Sequence, residues 1–206
     1  MYKKTLLPFL YCACALVLRA QTNDEISPSE FYGIHIGKLP KYSVDVWQKE
    51  VDKRMKEREA MVAFYVHELR SEKDPEKQMR ICFLLGNFRA NKAAPALADV
   101  IDLHNPDFSD APRGGLPMYG PYPAVSALVR IGLPAIRTMI ERLETEQDNT
   151  KRHLEVSVIR EICGEIYGIE LTTSVLEKAA AEQTDPDKKA NLNEAVELSK
   201  QHRTMP

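Results

Sequence analysis

Two stretches of the chain follow one plan: LLGNFRANKAAPALADVI at residues 84–101 and ALVRIGLPAIRTMIERL at residues 127–143. In each, an apolar stripe at three- to four-residue spacing ends in an apolar residue and glycine, Leu85-Gly86 and then Ile131-Gly132. After a short break, Pro-Ala-Leu or Pro-Ala-Ile opens a second amphipathic segment. That spacing is the signature of helices with one buried face. Proline suits a first helical position, because the N–H it lacks would have no partner there. Aligning Tyr167-Gly168 with the other two glycine pairs brings in a third segment, EIYGIELTTSVLEKA at residues 165–179, which lacks the Pro-Ala opening. The offsets are 46 and 36 residues. Three helix couplets are predicted.

Working outward, Asp74-Pro75 predicts an N-cap and first residue for the helix carrying Met79, Cys82, Phe83 and Leu85. In its partner, Leu97, Val100, Ile101 and Leu103 are expected to face inward. Upstream, residues 44–70 predict a long helix, with Ser43 as N-cap and Trp47, Val51, Met55, Val62, Val66 and Leu69 on its apolar face. The mixed-sign run KEVDKRMKERE within it has the pattern of a solvated face. Residues 21–42, broken by Pro28, Gly33, Gly37 and Pro40, predict an extended lead-in. Downstream, Asp185-Pro186 predicts the cap of a last helix, with Leu192, Val196 and Ser199 on its apolar side.

The repeated plan, carried by LLGNFRANKAAPALADVI and ALVRIGLPAIRTMIERL, resembles the HEAT-repeat family. More closely, it is similar to the short HEAT-like repeats first noted in phycobilin lyases. The likeness spans roughly residues 75–182 and implies an all-α fold: a short right-handed α-α superhelix of about three helix pairs with capping helices. On that reading residues 43–72 form an N-terminal cap and residues 73–203 the repeat domain. A single couplet cannot cover its own apolar face, so neighbours stack into one core. Helical repeats mostly serve as binding scaffolds, and fold alone confers no activity.

Composition narrows the function classes. Of 206 residues, 44% are hydrophobic and 28% charged, values typical of a globular chain and incompatible with wholesale disorder. With 28 basic and 30 acidic residues, there is no strong positive field to draw nucleic acid. Apart from His104, the histidines His35, His67, His153 and His202 are scattered. No HExxH helix, GxSxG elbow or glycine-rich phosphate loop occurs, so no cofactor is implied and no catalytic residue stands out.

Residues 1–20 differ from that average. Lys3 and Lys4 precede TLLPFLYCACALVL, 14 uncharged residues at positions 5–18, which fits a signal-peptide core and is too short to span a bilayer. Cleavage is expected after Ala20, with Ala15 as the alternative. Tyr11 at the third position before Cys14 argues against a lipid anchor. Loss of Lys3, Lys4 and Arg19 would move the formal charge from −2 to −5. A periplasmic or secreted location is expected, with Cys82 and Cys163 as the cysteines left in the mature chain. Both lie in apolar runs, which favours buried free thiols over a disulfide.

Residues 104–123, HNPDFSDAPRGGLPMYGPYP, carry five of the 13 prolines and three of the nine glycines, and so predict a loop inserted between the first two couplets. Insertions of this kind often fall on a binding face. Arg113, Tyr119 and Tyr122 are the candidate contact residues there, with Arg137, Glu141 and Arg142 on the second helix beside it. Tyrosine and arginine are the types enriched where interfaces concentrate their affinity. The competing expectation is that Leu116, Met118 and the tyrosines fold back to seal the groove. Asp102, His104, Asp107 and Asp110 are weak candidates for cation ligands, since their spacing matches no EF-hand. Two functions are open: an exported scaffold for a protein partner, or a small exported enzyme or ligand binder with its pocket between loop 104–123 and the groove.

Overall fold

Aspartate side chains start three of the helices. Asp74, Asp148 and Asp185 each hold an extended backbone and accept hydrogen bonds from amides of the first turn, offsetting donors that the helix itself leaves unpaired. The computed structural model describes residues 44–106, 120–164 and 167–201. Residues 1–20, expected as a signal segment, residues 21–42, expected as a lead-in, Ser43 and residues 107–119 lie outside them, as does the side chain of Trp47.

The described residues are all helical. In chain order they form α1 (Val44–Ser71), α2 (Pro75–Asn87), a 3-10 turn (Asn91–Ala93), α3 (Ala94–Asp99), α4 (Pro123–Ile131), α5 (Leu133–Leu143), α6 (Asn149–Cys163), α7 (Gly168–Glu182) and α8 (Pro186–Ser199). Proline stands in the first turn of α2, α3, α4, α5 and α8. The segment after α3, expected to continue as helix, instead closes i+3 turns onto the carbonyls of Leu97, Ala98 and Val100. The chain divides into two compact units after Arg58, within α1, and the larger of them runs from Glu59 onward.

Within this larger unit first helices pack in series, α2 against α4 and α4 against α6, while α3 packs against α5. Direct bonds show the register. Arg130 donates to Asn87 at 2.7 Å and Arg142 to Asp99 at 3.3 Å, and both pairs are separated by 43 residues. Both bonds join neighbouring helices at the same separation of 43 residues, where the glycine alignment suggests an offset of 46. The glycines explain the difference, because they do unlike jobs. Gly86 sits inside α2, where a Cβ would meet the Ala127 Cα of α4 at 2.8 Å. Gly132 ends α4 and begins α5 at φ +81°. Gly168 opens α7, and the glycine that ends α6 is Gly164, at φ +96°.

The third couplet departs from the first two. Helix α7 packs on α6 and α8, but it is α8 that packs beside α5. Two arginines of α6 hold α8 in place: Arg152 donates to the Asn191 carbonyl and Arg160 to the Ser199 carbonyl, each at 2.8 Å and each 39 residues apart. A constant offset means that α6 and α8 run parallel. Missing Pro-Ala in EIYGIELTTSVLEKA thus coincides with a helix that does not take the α3/α5 position.

One continuous core runs through this unit, from Val62 and Leu69 of α1 through Cys82, Leu85, Leu97, Leu128, Met139 and Ile159 to Leu176, Leu192 and Val196. Of the residues expected inward on and after α2, α3 and α8, Met79, Cys82, Leu85, Leu97, Ile101, Leu192, Val196 and Ser199 are buried, whereas Val100 and Leu103 are half-buried, as is Phe83 beneath the Arg130 guanidinium. Met55, expected on the buried stripe of α1, is 48% exposed. Tyr65 stacks on Phe88 at 6.3 Å, tying α1 to the turn after α2. Cys82 and Cys163 are free thiols, the first buried and the second half-exposed. Burial pushes the Cys82 thiol up to about 12, so it packs as a small apolar group.

Candidate functional site

The sequence-predicted residues separate into two places. Tyr122 directly precedes α4, partly buried against the core, with its ring edge-to-face on His104 at 5.4 Å. The amide of Asn105 donates to the Pro121 carbonyl at 2.9 Å, closing the base of the insertion. Tyr122 is therefore half-buried rather than splayed into solvent, while Leu116 and Met118, also named in the sealing expectation, lie outside the described residues. Arg113 and Tyr119 lie outside the described residues, as do Asp107 and Asp110.

Asp102 and His104 do not converge. Asp102 faces Lys151 of α6 at 3.7 Å, whereas His104 turns to Tyr122. Among the described residues no group of three or more His, Cys, Asp or Glu is placed to hold a metal ion.

On α5, four-residue spacing puts Arg137 and Glu141 on one outward face. Arg137 Nε donates to Glu141 Oε1 at 2.9 Å, and the side chains are 88% and 59% exposed. So open an ion pair adds little to stability, on the order of half a kcal/mol. It displays one charge of each sign.

Arg142, one residue further, turns away from that face. It donates to Asp99 of α3 at 3.3 Å and to Glu146 of the following loop at 3.2 Å. Its Nε also lies 3.6 Å from Oε1 of Glu155 on α6. Glu155 is fully buried, and neither of its oxygens accepts a hydrogen bond. Burial pushes its carboxyl up to about 7, opposed by the positive charge of Arg142 and reinforced by the negative charge of Glu146. Beside it, Arg152 is buried with its guanidinium satisfied by the carbonyls of Glu146 and Asn191 and by Glu194. Arg142 is thus the hub of an ionic cluster joining α3, α5 and α6.

Sequence reasoning named Arg142 but missed Glu155 and Arg152. The signal was present: Arg152, Glu155, Val156 and Ile159 share one helical face, so two charges fall on a stripe meant for the core. Also unforeseen is an open groove of about 500 Å³ between α7 and α8. Its floor includes Ala180 and Val196, and Glu177, Lys189, Asn193 and Lys200 line its sides.

No helix among the described residues is long and apolar enough to cross a membrane. No protein-family model, curated protein or solved structure matched the chain.

Proposed function

We propose that the chain is an exported helical-repeat scaffold, a short right-handed superhelix related to the HEAT-like repeats, that binds a protein partner along its second helices. One observation carries the reading. On α5, Arg137 and Glu141 form an exposed face with one charge of each sign that the core does not use. Arg142, one-third exposed, is committed to Asp99 and Glu146 and stands apart from that face. Charged side chains on a stacked helical scaffold steer association and fix register more than they supply raw affinity. Tyr119 and Arg113 of the insertion would supply the contact area, with Tyr122 seated at its base.

Exchanging the two charges tests this. Arg137→Glu with Glu141→Arg keeps the i,i+4 ion pair and the net charge while reversing what a partner meets. Immobilised mature chain should capture a partner from envelope extract, with recovery falling at least tenfold for the exchanged variant. Equal recovery by both proteins would sink the proposal. The alternative, a small exported enzyme or ligand binder using a pocket beside loop 104–123, predicts a thermal shift with a small metabolite or metal and no protein partner.

A further inference from the structure

Glu155 stands apart from every other carboxylate in the ionic cluster. The others reach solvent or a hydrogen-bond donor; Glu155 does neither. An ionised carboxylate so placed lacks the donors that make burial tolerable, and Arg142 at 3.6 Å is beyond hydrogen-bond distance. Arg142 Nε is likewise buried with no hydrogen-bond acceptor, whereas its two terminal nitrogens are held by Asp99 and Glu146. The guanidinium is therefore shared between two carboxylates near the surface and one in the core.

We propose that the Glu155–Arg142 contact is a proton-operated switch at the junction of α3, α5 and α6. With Glu155 neutral, Arg142 serves Asp99 and Glu146. When Glu155 gives its proton to solvent, the charged carboxylate draws the guanidinium inward and loosens its hold on Asp99. The helices coupled by this residue, α3 and α5, are those whose packing aligns the first couplet with the second. The other charges around α6 are committed elsewhere. Arg152 is held by backbone carbonyls and Glu194 of α8. Lys151 faces Asp102, and Lys188 of α8 faces Glu144. Arg130 of α4 is bonded to Asn87. On α7 the charged side chains are exposed, with Lys178 beside Glu182. The residual charges acting on Glu155 are Arg142, Glu146 and Arg152. Burial favours the proton and Arg142 opposes it, which brings release close to neutral pH.

The test is NMR on the whole chain labelled at glutamate carboxyls and arginine side chains, titrated from pH 4 to pH 9. One glutamate is expected to titrate near pH 7, with the Arg142 Nε–H resonance shifting at the same midpoint. Both readings come from the wild-type protein, so a variant that fails to fold leaves the test intact. Where it folds, Glu155→Gln should abolish the arginine titration. If all glutamate midpoints fall below pH 5.5, or if the Arg142 resonance stays flat while Glu155 titrates, the switch is overturned.

Discussion

Gly86 shows how one atom governs the contact between two helices. A Cβ at this position would lie 2.8 Å from the Ala127 Cα and 3.0 Å from its Cβ. Backbone cannot yield as a flexible side chain does. Alanine is the better helix former by about 1 kcal/mol, but forced separation of packed helices typically costs about 1–3 kcal/mol. Gly86→Ala should therefore lower the unfolding free energy by up to about 2 kcal/mol in urea titration, and adding Ala127→Gly should recover part of the loss. A stabilised single variant would contradict the close approach. From sequence Gly86 read as the end of a helix, because a glycine after an apolar residue is also how helices stop. Whether its φ is positive or its Cα is in contact is decided by the neighbouring helix, which periodicity does not reveal.

Local chemistry was the legible part at the level of elements. Asp74-Pro75 and Asp185-Pro186 marked two helix starts because cap and proline act within one turn. Asp148 works the same way, accepting from the amides of Thr150 and Lys151 at 2.8 and 3.0 Å. By contrast α3, α5 and α7 begin without a side-chain cap, entered through turns. Asp148→Ala should cost about 1 kcal/mol in chemical denaturation, while Asp148→Asn, an equally good cap, should cost almost nothing. The exchange of α7 and α8 lay beyond such signals. It depends on Arg152 and Arg160 reaching carbonyls 39 residues away.

For the whole molecule, acid–base linkage sets the conditions of greatest stability. The folded carboxyl of Glu155 titrates near 7, raised from an ordinary value of 4.5. Between those values the unfolded chain has lost the proton that the folded chain keeps, so stability falls as pH rises from 4.5 to 7 and levels off above it. The fall is on the order of 3 kcal/mol at most. Glu72 acts in the opposite sense. The amides of Asp74 and Lys73 bond its carboxylate and hold it below the usual range, so its contribution is lost as pH drops below 4.5. Together they place the stability maximum near pH 4.5, with a decline on either side. Thermal melts across pH 4–8.5 should show this for the wild type, and Glu155→Gln should remove the decline towards neutrality. A Glu155→Gln profile that still falls in parallel with the wild type would reassign the effect.

The seat beside α5 has a consequence for the history and engineering of the chain. Repeat proteins usually grow by copying a unit onto an end that is ready for another. Here α8 already fills the place next to α5 and is fastened there by two arginines. A duplicated α6–α7 segment would arrive to find its berth occupied and would have to evict the last helix before it could join. Adding a helix pair beside α5 and α6 would therefore begin with breaking the two arginine–carbonyl bonds that hold α8.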